Sequence, residues 1–141
     1  MVRTNKNGIK IYGEDDFAGM RKAGQVAAQC LDYIADYVKV GVSTGELDDL
    51  CNEFMKSKGA ISACIGYHGY PKATCISINQ VICHGIPDYE RKLADGDILN
   101  IDVTAIVDGY FGDTSRMYFA GKPKSKGKRF CDVTYEGMMR G

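Results

Sequence analysis

At 141 residues, with 45% hydrophobic and 26% charged side chains, the chain has the size and make-up of one soluble globular domain able to bury a real core. Lysine plus arginine equals aspartate plus glutamate at 18 each, so no global basic field exists to hold nucleic acid or an anionic membrane. No stretch approaches the roughly 20 apolar residues of a membrane helix, and Met1 to Tyr12 lack the apolar core of a signal peptide. Neither a nucleic-acid nor a membrane partner is expected, and the expected location is cytoplasmic.

That location decides how the cysteines are read. Cys30, Cys51, Cys64, Cys75, Cys83 and Cys131 are expected to be thiols, as in a reducing compartment. The spacings among Cys64, His68, Cys75, Cys83 and His84 match no standard zinc knuckle or ribbon.

In chain order, the first element is a helix expected from Glu14 to Val40. Phe17, Met20, Ala23, Ala27, Leu31, Ile34 and Val38 recur at three- and four-residue steps and form one apolar stripe. Glu14, Asp15 and Asp16 put negative charge on the first turn, where the helix dipole favours it, and Gly41 supplies the stop. Ser43-Thr44-Gly45-Glu46 then reads as a capping box for a second helix, whose stripe is Leu47, Leu50, Cys51, Phe54 and Met55 and whose end is Gly59.

From Ala60 the helical period disappears. Ile61, Ala63 and Ile65 alternate, a glycine- and tyrosine-rich turn follows at residues 66–71, and a strand is expected through Ile82. Asp95-Gly96-Asp97 marks a further turn. Two strands are expected beyond it, Ile98 to Val107 and Tyr110 to Ala120. The basic run Lys122 to Arg129 reads as a solvated connector, and a last helical pattern runs from Arg129 to Arg140.

Asp108-Gly109 is a strong hairpin signal, because both central residues of a type I′ turn need positive φ. A two-residue loop there makes Val107 face Tyr110 and Asp102 face Ser115. Asp113 then projects from the same face as Asp102, on the diagonal, with about 7–8 Å between the backbones. Ile101, Val103, Ala105 and Val107 form a clean apolar set on the other face. Two carboxylates on one half-buried face lose hydration and repel, and a divalent cation would relieve both costs. The alternative is a solvent-exposed face on which the two aspartates are idle.

Several stretches, in fixed order from about Asp15 to the last residue, resemble the type I methionine aminopeptidases. They are Val42-Ser43-Thr44-Gly45-Glu46-Leu47-Asp48, residues 63–72 from Ala63 to Lys72, Cys83-His84-Gly85-Ile86-Pro87, Asp95 to Thr104, and Gly112-Asp113-Thr114-Ser115-Arg116-Met117. The resemblance implies an α+β chain of the pita-bread fold. Residues 1–13 would be an N-terminal extension. Residues 14–141 would be the N-terminal half of the metallopeptidase domain, two amphipathic helices packed on an antiparallel sheet that ends in the hairpin.

It also implies a two-metal hydrolase that removes the initiator methionine from the N-terminal peptide of nascent proteins. Asp102 and Asp113 match metal ligands, with Asp113 bridging. His84 matches the histidine that contacts substrate near the scissile bond, and Cys64, Tyr67, His68, Tyr70 and Cys75 match the pocket and cleft lining. Cobalt, manganese, iron or zinc would suit. The family's remaining histidine and two glutamate ligands have no counterpart here, since Asp132 and Glu136 are the only acids after Asp113 and no histidine follows His84. This chain by itself is therefore expected to bind metal weakly or in part, to be inactive, and to self-associate, whereas a full-length form would be a monomer. The competing readings are a non-catalytic binding module of the same fold and a proline-specific, prolidase-like relative.

Overall fold

The structure is a computed structural model that describes residues 3–141. Of the expected extension at 1–13, residues 1 and 2 lie outside the described part. Within the remainder, Thr4 bridges Lys10 across a turn organised by the Asn5 side chain.

Helix α1 spans Glu14–Ile34 and α2 spans Thr44–Ser57. The acidic first turn of α1 does more than meet the dipole. Asp16 accepts from the Gly13 backbone N–H and from Lys10, and receives the Tyr110 hydroxyl from across the fold. The helix ends earlier than its stripe suggests. At Ala35–Tyr37 it tightens into a 3-10 turn, and Val38 is extended. A helix end leaves carbonyls without partners, and a tighter last turn is one way to satisfy some of them. Gly41, at φ +92°, then reverses the chain. The capping box of α2 is as read: Ser43 Oγ accepts from the Glu46 N–H, and Glu46 accepts from the Ser43 N–H.

A four-stranded antiparallel sheet carries β1 (Ile61–Ser62), β2 (Cys75–Ile78), β3 (Ile98–Val107) and β4 (Tyr110–Phe119). β4 pairs with β3 along its whole length in the expected register, Val107 with Tyr110 and Asp102 with Ser115. Asp108 and Gly109 have φ of +52° and +82°, as a type I′ turn demands. β1 and β2 share the other edge of β3, β1 against Ala105–Ile106 and β2 against Leu99–Asp102. They are two pieces of one interrupted edge strand, and residues 63–74 leave the sheet between them.

Both short strands stop before their alternating pattern does. β2 was expected through Ile82 but ends at Ile78. Asn79 adopts φ +53°, donates to Asp97 and accepts from the Ile98 N–H, so the chain turns away and leaves Val81 and Ile82 in solvent. Helix α3 (Ser125–Arg140) begins four residues before the expected Arg129, so more than half of the basic run is helical and not a connector.

The core lies between α1, α2 and one face of the sheet. Leu99, Ile101, Val103, Ala105 and Val107 are buried there, and the intervening residues of β3 are only half buried. α1 contributes Ala27, Cys30, Leu31 and Ile34, and α2 contributes Leu47, Cys51 and Met55. Burying such a Leu or Ile side chain stabilises the fold by about 1.5–3 kcal/mol. α1 sits directly on β4 at Gly112, where a Cβ would collide with the Ala23 and Gly24 backbone. The Tyr118 hydroxyl donates to the Leu31 carbonyl at 2.6 Å, tying the same two elements together. With one face held by helices, the sheet offers its other face to the cleft.

Candidate metal centre and substrate cleft

On the open face of β3 the side chains of Asp102 and Thr104 point into a cleft of about 500 Å³, joined by Asp113 from β4. The cleft is also lined by Cys64, Tyr67, His68, Gly69, Tyr70, Pro71, Cys75, His84 and Ile86. All eight side chains singled out in the sequence therefore meet at one place. They come from four sources: the β3–β4 hairpin, the 63–74 excursion, the first residue of β2, and the loop that follows β2.

The hairpin supplies the carboxylates. Thr104 faces Asp113 and Asp102 faces Ser115, so the two acids are diagonal neighbours. Asp102 is half buried and Asp113 is exposed. The Asp102 carboxyl is held above its ordinary range, first by burial and then by the charge and hydrogen bonding of Asp113, while the nearby His84 pulls it the other way. Asp102 thus stands where the charge of Asp113 reaches it. Both are hard oxygen donors of the kind that hold divalent cations. Among the described residues no group of three or more His, Cys, Asp or Glu side chains converges on a single point.

The loop after β2 positions His84. The Ile76 N–H donates to the Gly85 carbonyl at 2.9 Å, and the Gly85 N–H donates to Ser77 Oγ at 3.2 Å. Only glycine fits there, because a Cβ would run into the Ile76 carbonyl. His84 itself is at φ +54°, and His68 across the cleft is at φ +47°. A non-glycine residue in the left-handed region carries strain that the surroundings must hold. Both histidines of the chain carry it, and both line the cleft.

The 63–74 excursion builds the remaining wall. Tyr67 is exposed, with its ring edge-on to His68 at 4.5 Å. Tyr70 is different: its hydroxyl lies within hydrogen-bonding distance of the Thr74 carbonyl at 2.9 Å and the Gly85 carbonyl at 3.1 Å. It therefore clamps the excursion to the His84 loop, and burial pushes its hydroxyl pKa up. Cys64 and Cys75 stand side by side on the cleft wall, both thiols pushed up chiefly by burial.

One residue that shapes this wall was not singled out. Asp48 of α2 is 4% exposed and accepts from the Thr74 N–H and hydroxyl, both at 2.7 Å, and from the Ala73 N–H at 3.3 Å. It fixes the returning arm of the excursion to the helix layer. A signal was present, since Asp48 shares the buried helix face with Thr44, Cys51 and Met55, where a carboxylate needs dedicated donors.

Residues 18–141 match metallopeptidase family M24. The chain is 56% identical over 131 residues to the methionine aminopeptidase of Escherichia coli strain K12, which covers 92% of this chain and 50% of that protein. The crystal structure of methionine aminopeptidase from Rickettsia prowazekii superposes with a TM-score of 0.89 at 50% identity, over 99% of this chain and 53% of that one. An Xaa-Pro dipeptidase from Bacillus anthracis matches with a TM-score of 0.80 at 23% identity, over 92% of this chain and 35% of that one, a likeness of fold alone. The chain spans about half the length of the curated relatives it matches. Its architecture is the N-terminal half of the α+β pita-bread fold. On the match of residues 18–141, the chain belongs to metallopeptidase family M24.

Proposed function

We propose that this chain supplies the substrate cleft and part of the metal centre of an aminopeptidase that removes the initiator methionine from nascent proteins. The observation that supports this is the convergence of two carboxylates, two histidines and two thiols on one cleft. Membership of a metallopeptidase family carries divalent-metal chemistry with it. The residues present fit such an ion, since Asp102 gives up hydration beside a second carboxylate and a cation would offset both costs.

In this reading Asp102 and Asp113 would be among the residues holding divalent metal, with cobalt, manganese, iron and zinc all compatible with such donors. When bound, the ions supply Lewis acidity toward a peptide carbonyl and a nucleophile at neutral pH. His84, beside Asp102, contacts the substrate near the scissile bond. Cys64, Tyr67, His68, Tyr70 and Cys75 form the wall for the methionine side chain, where soft sulfur neighbours suit a thioether. The partner is the N-terminal peptide of a nascent chain in the cytoplasm, and a complete enzyme acts as a monomer. The 141 residues alone offer too few ligands for turnover.

Calorimetric titration of this polypeptide with Co²⁺ is expected to show weak binding that disappears in both Asp102→Asn and Asp113→Asn. Unchanged binding in both variants would refute the metal assignment. Turnover of a Met-Ala peptide by highly purified chain, abolished by Asp113→Ala, would refute the inactivity. A prolidase-like reading requires preference for an Xaa-Pro peptide over Met-Ala. A non-catalytic module would bind peptide with no dependence on Asp102 or Asp113.

A further inference from the structure

The excursion at 63–74 has a neck, and the neck carries two thiols. β1 leaves the edge of β3 with the Ala63 N–H donating to the Thr104 carbonyl, and β2 rejoins that edge with Cys75 opposite Asp102. The departing and returning arms thus come abreast about two residues apart on β3. Ser62 Oγ ties them, donating to the Ala73 carbonyl at 2.6 Å and accepting from the Cys64 N–H at 3.0 Å. Cys64 is the first residue beyond this tie on one arm to reach the cleft, and Cys75 is its counterpart on the other. Both side chains line the same cleft, and each thiol lies near enough to the other to interact with it, the nearness that a disulfide's short span between Cα atoms, roughly 4.4–6.8 Å, calls for.

We propose that Cys64 and Cys75 form a reversible dithiol–disulfide pair that locks the neck of the 63–74 excursion and with it the cleft wall. The partner reagent is a low-molecular-weight disulfide such as oxidised glutathione. Cys64, the more exposed of the two, attacks one glutathione sulfur as a thiolate and releases the first glutathione thiol. Cys75 then attacks the Cys64 sulfur of the mixed disulfide and releases the second. The protein loses two hydrogens and two electrons, and one glutathione disulfide becomes two thiols. Cys30 and Cys51 are also neighbours, but both are 0% exposed in the core and out of reach of such a reagent. Cys83 is exposed and stands as the competing site.

The disulfide would close a short ring around Tyr67, His68 and Tyr70 and hold them at fixed positions. In a reducing compartment the pair rests as thiols, and transient disulfides there are typically redox-sensing or catalytic.

The folded chain is treated with oxidised glutathione, quenched by alkylation and mapped by mass spectrometry. The expected result is loss of alkylation at both Cys64 and Cys75, a peptide linking them, and full recovery with dithiothreitol. Amides of 66–72 are expected to exchange hydrogen more slowly in the oxidised form. The Cys75→Ser variant is expected to retain one glutathione on Cys64. Independent alkylation of both residues, a glutathione adduct on Cys83 alone, or a Cys64–Cys75 link that forms only in denaturant would overturn the proposal. Mapping the unmutated protein decides these outcomes even if Cys75→Ser does not fold.

Discussion

At the scale of single residues, the cleft is held by side chains that do not belong to its chemistry. Asp48 is the clearest. Truncating it would leave the Ala73 and Thr74 N–H groups buried without partners, and each such loss costs about 1–3 kcal/mol. Asp48→Ala is therefore expected to lower unfolding free energy by about 3 kcal/mol, read by urea denaturation, and to loosen Cys75 and Tyr70 with the returning arm. An unchanged denaturation midpoint would show that the arm is held by other contacts. Gly85 makes a separable case. Its backbone lies so close to Ile76 that a methyl group must push the His84 loop off β2. Gly85→Ala is expected to break the Tyr70 clamp while leaving the core intact, seen as faster amide exchange at Ile76 with little change at Leu99 or Ile101. Equal protection at all three amides would count against this picture.

At the scale of elements, what could be read in the chain was whatever local chemistry decides. The hairpin was legible because Asp108-Gly109 dictates its own turn, and the turn dictates the register that puts Asp102 and Asp113 on one face. The α2 start was legible because capping is a contact between residues three apart. The carboxyl of Glu46 is lowered from 4.5, first by the Ser43 backbone N–H and then by the Ser43 hydroxyl. A lowered acid stabilises the fold above its unfolded pKa and loses that contribution as pH falls through the folded value. Glu46→Gln is thus expected to be less stable than the parent at neutral pH, with the gap closing below about pH 4.5. Ser43→Ala is expected to cost about 1 kcal/mol. Thermal melts from pH 7 to pH 3 check both, and a gap that stays constant with pH would contradict the capping role of the carboxylate. The short edge strands were not legible, because a two-residue β1 and a four-residue β2 are defined by their pairing to β3 and not by their own pattern. The exit of β2 depends on Asn79 reaching Asp97 and Ile98, a tertiary contact that no alternation encodes. α1 also ended before its apolar stripe did, tightening into a 3-10 turn at Ala35–Tyr37 that the stripe does not encode. The residues that line the cleft were legible as motifs, whereas the clamp of Tyr70 and the anchor of Asp48 needed coordinates.

At the scale of the whole molecule, the apolar surface is distributed unevenly. The helix layer and the inner face of the sheet are sealed, with no buried side-chain nitrogen or oxygen left without a partner among the described residues. Helix α3 is the opposite. Cys131 is its only buried residue, while Phe130, Val133, Tyr135, Met138 and Met139 are each more than half exposed. Ile82 and Ile86 add to the exposed apolar area beyond β2, with Ile82 at 94%. Single exposed apolar residues are ordinary, but a helix whose large apolar side chains all face water lacks the packing that normally stabilises it. With zero formal net charge, little long-range repulsion opposes contact between copies. The 141-residue chain is therefore expected to associate through α3. Sedimentation velocity over a concentration series should show the weight-average mass rising with concentration. Phe130→Glu with Met138→Glu should return it to a monomer without lowering the melting temperature of the core, since neither side chain contributes to that core. A parent chain that stays monomeric at every concentration and melts in one cooperative step would mean that α3 satisfies its apolar side chains within a single copy.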